Sequence, residues 1–349
     1  MSKKIAVLGV GAIGSCVGAD VTRAGYDVVL IDQWPAHVEA MKANGLRVIL
    51  QDEEFHTPVR AYHLCDVCTL NVQFDIVLMA SKSYDSCWLA QFIKPYLKAD
   101  GVLVPVQNSL NDEWVAPIVG PERDVGCVVE LSGEVFTPGV VQRNTSHQKA
   151  WFGLGEFNGE ITPRLHELEA IMKCVGRVTL TQNIRGAKWT KLISSSMLLG
   201  PLGVLGLRLW EATEVPGVIE LLIRCGTEAM TVAKALGFSI EPIFGLGPED
   251  FAGSTEEVVR KLAGTIVLHG KAGTKVRGVP LQDYLKGRNT ETDLLNGLIA
   301  RKGQQVNVPT PANDAIVQID RQIRLGALKP DRSNLVHVQK LIDRPEGKT

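Results

Sequence analysis

A chain of 349 residues, 45% hydrophobic and 21% charged, can bury a large core and exceeds the usual size of one domain, so two domains are expected. The formal net charge of -1 supplies no broad basic field to hold a polyanion, which argues against nucleic acid or an anionic membrane surface and for a small-molecule partner. The apolar runs fall far short of the roughly 20 residues of a membrane span, and Met1-Ser2-Lys3-Lys4 leads into strand-like sequence without a signal-peptide core, so a cytoplasmic protein is expected.

The first strand-like run, residues 5–8, leads directly into Gly9-Val10-Gly11-Ala12-Ile13-Gly14 and then a helix rich in small residues, 15–24. Gly-x-Gly-x-x-Gly is weak evidence alone, but between a strand and a helix it reads as a dinucleotide loop. Gly9 permits the tight turn, Gly11 lets the backbone approach a pyrophosphate, and Gly14 allows close helix-to-strand packing. Ala12 and Ile13 lie at the helix N-terminus that faces the phosphate charge. The second strand, 28–31, ends in Asp32, where the adenine ribose is expected. A carboxylate there accepts hydrogen bonds from the 2′- and 3′-hydroxyls of NAD and repels a 2′-phosphate, and no Arg or Lys lies in residues 33–38, so NAD(H) is expected over NADP(H).

Cys65-Asp66-Val67-Cys68, with His63 close by, has the spacing of a redox or zinc motif. No second pair accompanies it, and the expectation is a loop between strands with no metal. Seven scattered cysteines do not suggest a disulfide framework and fit a reducing compartment.

Strand-like runs follow at 76–79 and 102–106, and continuous apolar strands of this kind belong to a parallel sheet covered on both faces. Lys82 and Asn108 lie just past them, at the strand ends where ligands bind in such sheets. Further strand signals at 126–131, 140–143 and 151–154, with turns such as Thr137-Pro138-Gly139, are expected to extend the sheet in antiparallel fashion.

After about residue 181 strand signals largely stop and amphipathic segments continue to about residue 325. The expected architecture is α/β: a Rossmann-type domain with a mainly parallel sheet over residues 1–181, joined to an all-α domain over 182–349. The clearest helix runs from Pro216, read as its first position, to Gly237, a natural C-cap, and its apolar residues 218–236 can bury a homodimer contact as readily as an internal core. The polar tail is expected to be poorly ordered beyond Ile342.

A carbonyl reductase also needs an acid near the carbonyl oxygen. In the helical stretch 186–199, Lys191 shares a face with Ser194, Ser195 and Leu198. Glu291 sits three and four residues before Leu294 and Leu295, the start of a stripe continued by Leu298 and Ile299, so its carboxylate is expected to point inward toward a partner; the alternative is a helix N-terminal acid favoured by the helix dipole. Trp189 and Trp210 read as packing residues.

The glycine loop, Ala80-Ser81-Lys82-Ser83-Tyr84, Gln107-Asn108, Lys188-Trp189-Thr190-Lys191-Leu192 and Glu291-Thr292-Asp293-Leu294-Leu295-Asn296-Gly297, in this order, resemble the ketopantoate reductase family over residues 4–328. The resemblance implies Lys191 as general acid, Glu291 as the acid holding substrate and catalytic lysine, Asn108 near nicotinamide and substrate, and Lys82 on the cofactor side. The family's best-known members use NADPH and carry a basic residue where this chain has Asp32. Its asparagines after the catalytic lysine fall on Ser195 and on Leu199 or Gly200. Its substrate-binding serine falls on Val279, before Pro280-Leu281-Gln282-Asp283, and the Gly of its Gln-Asn-Gly turn on Ser109.

These departures replace hydrogen-bonding groups by apolar ones and predict discrimination against ketopantoate. The expected activity is NAD(H)-dependent interconversion of another secondary alcohol or hydroxy acid and its ketone. The alternatives are 2-dehydropantoate 2-reductase proper, a catalytically silent NAD(H)-sensing protein, and a β-hydroxyacid-type dehydrogenase, whose usual asparagine four residues after the lysine is absent at Ser195.

Overall fold

A computed structural model describes residues 3–243, 248–251, 253–270 and 276–344. The chain forms two compact units, Met1–Arg185 and Gly186–Thr349.

The first unit runs β1 (Lys4–Leu8), α1 (Ala12–Arg23), β2 (Asp27–Asp32), α2 (Pro35–Asn44), β3 (Leu46–Ile49), β4 (Glu54–Thr57), β5 (Ala61–His63), β6 (Phe74–Met79), α3 (Ser86–Ile93), β7 (Leu97–Pro105), α4 (Asp112–Val119), β8 (Gly126–Glu130), β9 (Gly133–Glu134), β10 (Val140–Arg143), β11 (Trp151–Gly155), α5 (Pro163–Met172) and β12 (Arg177–Leu180). Five strands form a parallel sheet in the order β5-β2-β1-β6-β7. The alternation of the strands explains why the runs are apolar throughout. Ile5, Val7, Leu30, Leu78 and Val104 join one core with Val17 and Val21 of α1, whereas Ala6, Leu8, Ile31, Val77 and Leu103 join another with Leu89 of α3 and Val115 of α4. Burial on both faces leaves no polar register for such strands.

The expected antiparallel extension of this sheet is corrected by two further sheets. A four-stranded one has the order β4-β3-β10-β9 and a three-stranded one the order β12-β11-β8. β10 pairs parallel with β3, and β11 pairs antiparallel with β8 but parallel with β12. The partners β3 and β4 escape a sequence reading because Arg47, Glu54 and His56 interrupt the apolar pattern and their strands are only four residues long. The turn at Thr137-Pro138-Gly139 is as expected, with Gly139 at φ +75° and Val140 N–H donating to the Thr137 carbonyl at 3.1 Å.

In the second unit α6 (Ile184–Val204), which begins just before it, is followed by α7 (Val218–Ala235), α8 (Thr255–Gly270), α9 (Val279–Leu285), α10 (Asn296–Gln305), α11 (Pro311–Arg324) and α12 (Asn334–Ile342). Pro216 is not the first helical residue: Gly217 adopts φ +83° as N-cap and displaces the start of α7 to Val218. Gly237, at φ +81°, closes that helix as read, its N–H bonded to the Lys234 carbonyl. α7 packs on α8, α10 and α11 within the unit. The polar tail carries an unforeseen helix, α12, whose Val338 and Ile342 are buried, while residues 345–349 lie outside the described ones. Among the described residues no helix is long and apolar enough to cross a membrane.

Candidate active site

The carboxyl ends of β1, β2, β6 and β7 gather every cofactor-side residue singled out in the sequence. Gly9, just past β1, adopts φ +88°, and a Cβ there would stand 2.5 Å from the Ser81 backbone. Gly9 therefore lets the Ser81-Lys82 segment close over the glycine loop. A Cβ on Gly14 would lie 2.0 Å from the Gly9 carbonyl oxygen, but one on Gly11 would meet nothing within 4 Å. The space before α1 is thus open at the residue whose backbone is expected to approach a phosphate. No side chain caps that helix start, which leaves the N–H groups of its first turn, including those of Ala12 and Ile13, directed outward.

Asp32 ends β2 nearly buried, and its two carboxylate oxygens are both engaged by backbone. Val10 N–H donates to Oδ2 at 2.5 Å and Trp34 N–H to Oδ1 at 2.7 Å. A carboxylate has about four lone-pair sites, so these bonds fix its orientation and leave acceptor capacity for a diol. The residues present fit a dinucleotide.

Lys82 follows β6 and precedes the 3-10 turn Ser83–Asp85. The Gln107 amide donates to the Ser81 carbonyl at 2.7 Å and to Ser86 Oγ at 2.9 Å. Asn111 donates to Ser83 Oγ at 3.2 Å and to the Asn108 carbonyl at 2.5 Å. These bonds lock the Lys82 and Asn108 loops together. Ser86 and Asn111 were missed in the sequence, and Ser83 was read only within the motif of residues 80–84; the only local signal is short polar residues placed directly after apolar strands. Ser109 adopts a left-handed backbone, at φ +77°, at a cost of about 1–2 kcal/mol relative to an ordinary conformation.

In the second unit Lys191 is half-buried on α6, with Ser194 and Ser195 buried on the next turn and Ser194 Oγ donating to the Lys191 carbonyl at 3.0 Å. Trp189 is a packing residue, its ring 5.2 Å from that of Phe238. Glu291 is buried as expected, but not through the face of α10. That helix starts at Asn296, Leu295 breaks the chain at φ −110°, ψ −86°, and Glu291 precedes a separate 3-10 turn, Thr292–Leu294. Leu294 is correspondingly only half-buried.

The turn is held by Asp320 and Arg324 of α11. Thr290 Oγ1 donates to Asp320 Oδ1 at 2.6 Å and Tyr284 Oη to the same oxygen at 2.5 Å. Arg324 donates from Nε to Asp320 Oδ2 at 2.8 Å and from its terminal nitrogen to Asp293 at 2.7 Å. Asn296 ties the start of α10 to α6 by donating to the Ser196 carbonyl at 2.8 Å. On that side a Cβ on Gly200 would stand 2.2 Å from Asn296 Oδ1 and 2.9 Å from Ile316 Cγ2, so a substituent there would displace this packing.

The sequence profile of the Ketopantoate reductase PanE/ApbA family matches residues 5–156, and that of its C-terminal region residues 183–324. A protein of Mesorhizobium japonicum called 2-dehydropantoate 2-reductase is 29% identical over 343 residues, covering 92% of this chain and 97% of its own length. A crystal structure of a PanE/ApbA family ketopantoate reductase from Ralstonia eutropha JMP134 has 26% identity and a TM-score of 0.76, covering 93% of this chain and 99% of that one. The ternary structure of D-mandelate dehydrogenase with NADH and anilino(oxo)acetate has 21% identity and a TM-score of 0.81, covering 93% and 98%, a likeness of fold. Matched over both of its units, the chain belongs to the ketopantoate reductase family of oxidoreductases acting on CH-OH groups.

Proposed function

We propose that this protein is an NAD(H)-dependent oxidoreductase that interconverts a secondary hydroxy acid, or related secondary alcohol, with its ketone, and that ketopantoate is not its main substrate. The observation that carries the cofactor reading is the Asp32 carboxylate, held toward the glycine loop by Val10 and Trp34. A nicotinamide cofactor supplies or accepts the hydride when bound. Lys191 delivers a proton to the carbonyl oxygen in reduction, or removes it from the hydroxyl in oxidation. Glu291 orients the substrate hydroxyl and the lysine, and Asn108 lies on the nicotinamide side. Gly9, Gly11, Ala12, Ile13 and Gly14 hold the pyrophosphate, with Lys82 beside them.

The substrate reading rests on lost or shortened polar contacts: Val279 at the head of α9, Ser195 on α6, whose hydroxyl is shorter than an asparagine amide, and Leu199 or Gly200 one turn later, the latter crowded by Asn296. Such a pocket favours a bulkier, less polar acid over a small hydroxylated one. The fold likeness to a D-mandelate dehydrogenase bound to NADH is in line with this. The name 2-dehydropantoate 2-reductase carried by relatives favours the second reading, reduction of ketopantoate itself.

A steady-state screen of 2-hydroxy acids with NAD+, and of 2-keto acids including ketopantoate with NADH, separates them. An aryl or branched acid is expected to turn over with kcat/KM well above that for ketopantoate, and Lys191→Met to lower kcat about a hundred- to ten-thousand-fold. Ketopantoate as the best substrate selects the second reading. Cofactor binding without turnover of any compound defeats both.

A further inference from the structure

We propose that Cys65 and Cys68 form a reversible dithiol/disulfide site that exchanges with low-molecular-weight disulfides. Both thiols are free and exposed, in contrast to the buried Cys16, Cys127 and Cys225. They occupy one 3-10 turn, Leu64–Thr69, three positions apart. Side chains at that spacing eclipse in a 3-10 turn, and a rise of about 2.0 Å per residue puts the two Cα atoms about 6 Å apart, inside the range a disulfide bridges without backbone movement. Cys68 Sγ already points back along the turn, donating to the Cys65 carbonyl at 3.2 Å.

Apart from that thiol bond and a long one from Cys65 Sγ to Asp66 Oδ1 at 3.8 Å, the turn is held by groups other than the thiols. Val67, between the cysteines, is fully buried in the core that also contains Ile31. Asp66 Oδ2 accepts from His63 N–H at 3.1 Å and from Lys42 Nζ at 3.3 Å, and Thr69 Oγ1 donates to the Asp66 carbonyl at 2.7 Å. Rotation of two exposed side chains is therefore enough to close the bridge. Among the described residues these thiols do not join a third His, Cys, Asp or Glu in a metal-ligating group. The turn follows β5, where His63 is the register partner of Asp32, so the site lies beside the edge at which the dinucleotide is proposed to bind. Only that last relation rests on the proposed function; the exchange chemistry does not.

In the reaction one cysteine thiolate attacks a sulfur of glutathione disulfide, breaking its S–S bond and releasing one glutathione thiolate. The second cysteine thiolate attacks the protein-bound sulfur of the mixed disulfide and releases the other glutathione. Two electrons pass from the protein to the glutathione disulfide, and the two thiol protons end on the two glutathiones.

The test treats the full-length reduced protein with glutathione disulfide until exposed Cys87, which has no cysteine near it in sequence, is fully glutathionylated. Remaining thiols are then alkylated, and the tryptic peptide of residues 61–82 is weighed. The expected peptide has lost two hydrogens, carries neither glutathione nor alkyl group, and regains two alkylatable thiols after dithiothreitol. Cys68→Ser is expected to leave Cys65 with a stable glutathione adduct, as at Cys87. A wild-type peptide that carries glutathione, or two alkyl groups, while Cys87 is fully converted, overturns the proposal.

Discussion

The backbone N–H of Val10 donates to the Asp32 carboxylate at 2.5 Å, which joins the glycine loop to the end of β2. Asp32 therefore fixes the loop, and under the proposed function it also reads the ribose. Asp32→Asn turns one acceptor oxygen into a donor facing Val10 or Trp34. It is expected to cost about 1–3 kcal/mol of stability. Removing the negative charge is also expected to weaken NADH binding and shift preference toward NADPH, because a 2′-phosphate is no longer repelled. Calorimetric titration with both cofactors checks this. Equal weakening for both would reduce Asp32 to a scaffold residue.

Asp320 is expected to act through Glu291 by holding the turn that follows Thr290. Thr290→Val preserves shape but removes one of the two hydroxyl donors to Asp320 Oδ1. The expected result is a fall in kcat with little change in KM, because a displaced Glu291 misaligns the reacting groups without removing apolar substrate contacts. Glu291→Gln lowers kcat further, and the double variant is expected to be less than additive. Strictly additive losses would mean that Thr290 supports the fold alone.

Arg143 is the largest buried cation of the first unit and donates to Asp20 of α1, to the Thr145 carbonyl at 2.8 Å and to the Val175 carbonyl at 2.6 Å. Burial pushes the Asp20 carboxyl above its ordinary 3.8, and the charges of Arg143 and His147 pull it back. Arg143→Met removes the larger of those charges, so the native carboxyl rises further. The native state then binds its proton more tightly than the unfolded chain, and stability falls as pH rises from 3.8 through the raised native value. The expected loss above that window is about 3–5 kcal/mol. Urea unfolding across pH checks it, and Asp20→Leu in the Arg143→Met background is expected to restore part of the loss.

The elements legible in the sequence are those whose burial is uniform. Residues 5–8, 28–31, 76–79 and 102–106 are apolar because both faces of the central sheet are covered, and they mark four of its five strands. β5, the fifth, is only three residues long and ends in His63, so it leaves no periodic signal. α12 hides because Lys329 to Ser333 read as tail, although Asn334 is fixed by donating to the Val204 carbonyl at 2.9 Å, a partner 130 positions away. The burial expected of Glu291 is observed, but the stripe from Leu294 does not produce it: the residue precedes a separate turn flanked by the Thr290–Asp320 and Asp293–Arg324 bonds, which no local spacing reveals. Gly200, one of the two positions read for a family asparagine, is the converse case, since only the packed Asn296 shows what a side chain would meet there.

Glu156 and Arg164 give a test of the first unit's lesser sheet. The guanidinium donates to both carboxylate oxygens, at 2.7 Å and 2.6 Å, and Thr162 donates at 2.6 Å, which pins the start of α5 to the end of β11. Burial alone raises the Glu156 carboxyl, but these bonds and the Arg164 charge outweigh it, and the native value falls below 4.5. The unfolded chain thus binds the proton more tightly. The pair contributes stability that is fully present above 4.5 and is lost as pH falls through the lowered native value. In Arg164→Met burial acts unopposed by the guanidinium, so the same carboxyl is expected to be less favourable to folding at high pH than at low. The wild-type advantage is expected to be about 1–3 kcal/mol at neutral pH. It is expected to shrink in acid toward the part due to the Arg164 bond with the Glu122 carbonyl, which does not titrate. Urea unfolding of both proteins at several pH values measures it. An advantage that stays constant from neutral pH to below the lowered value would show that Glu156 does not sense its partner's charge.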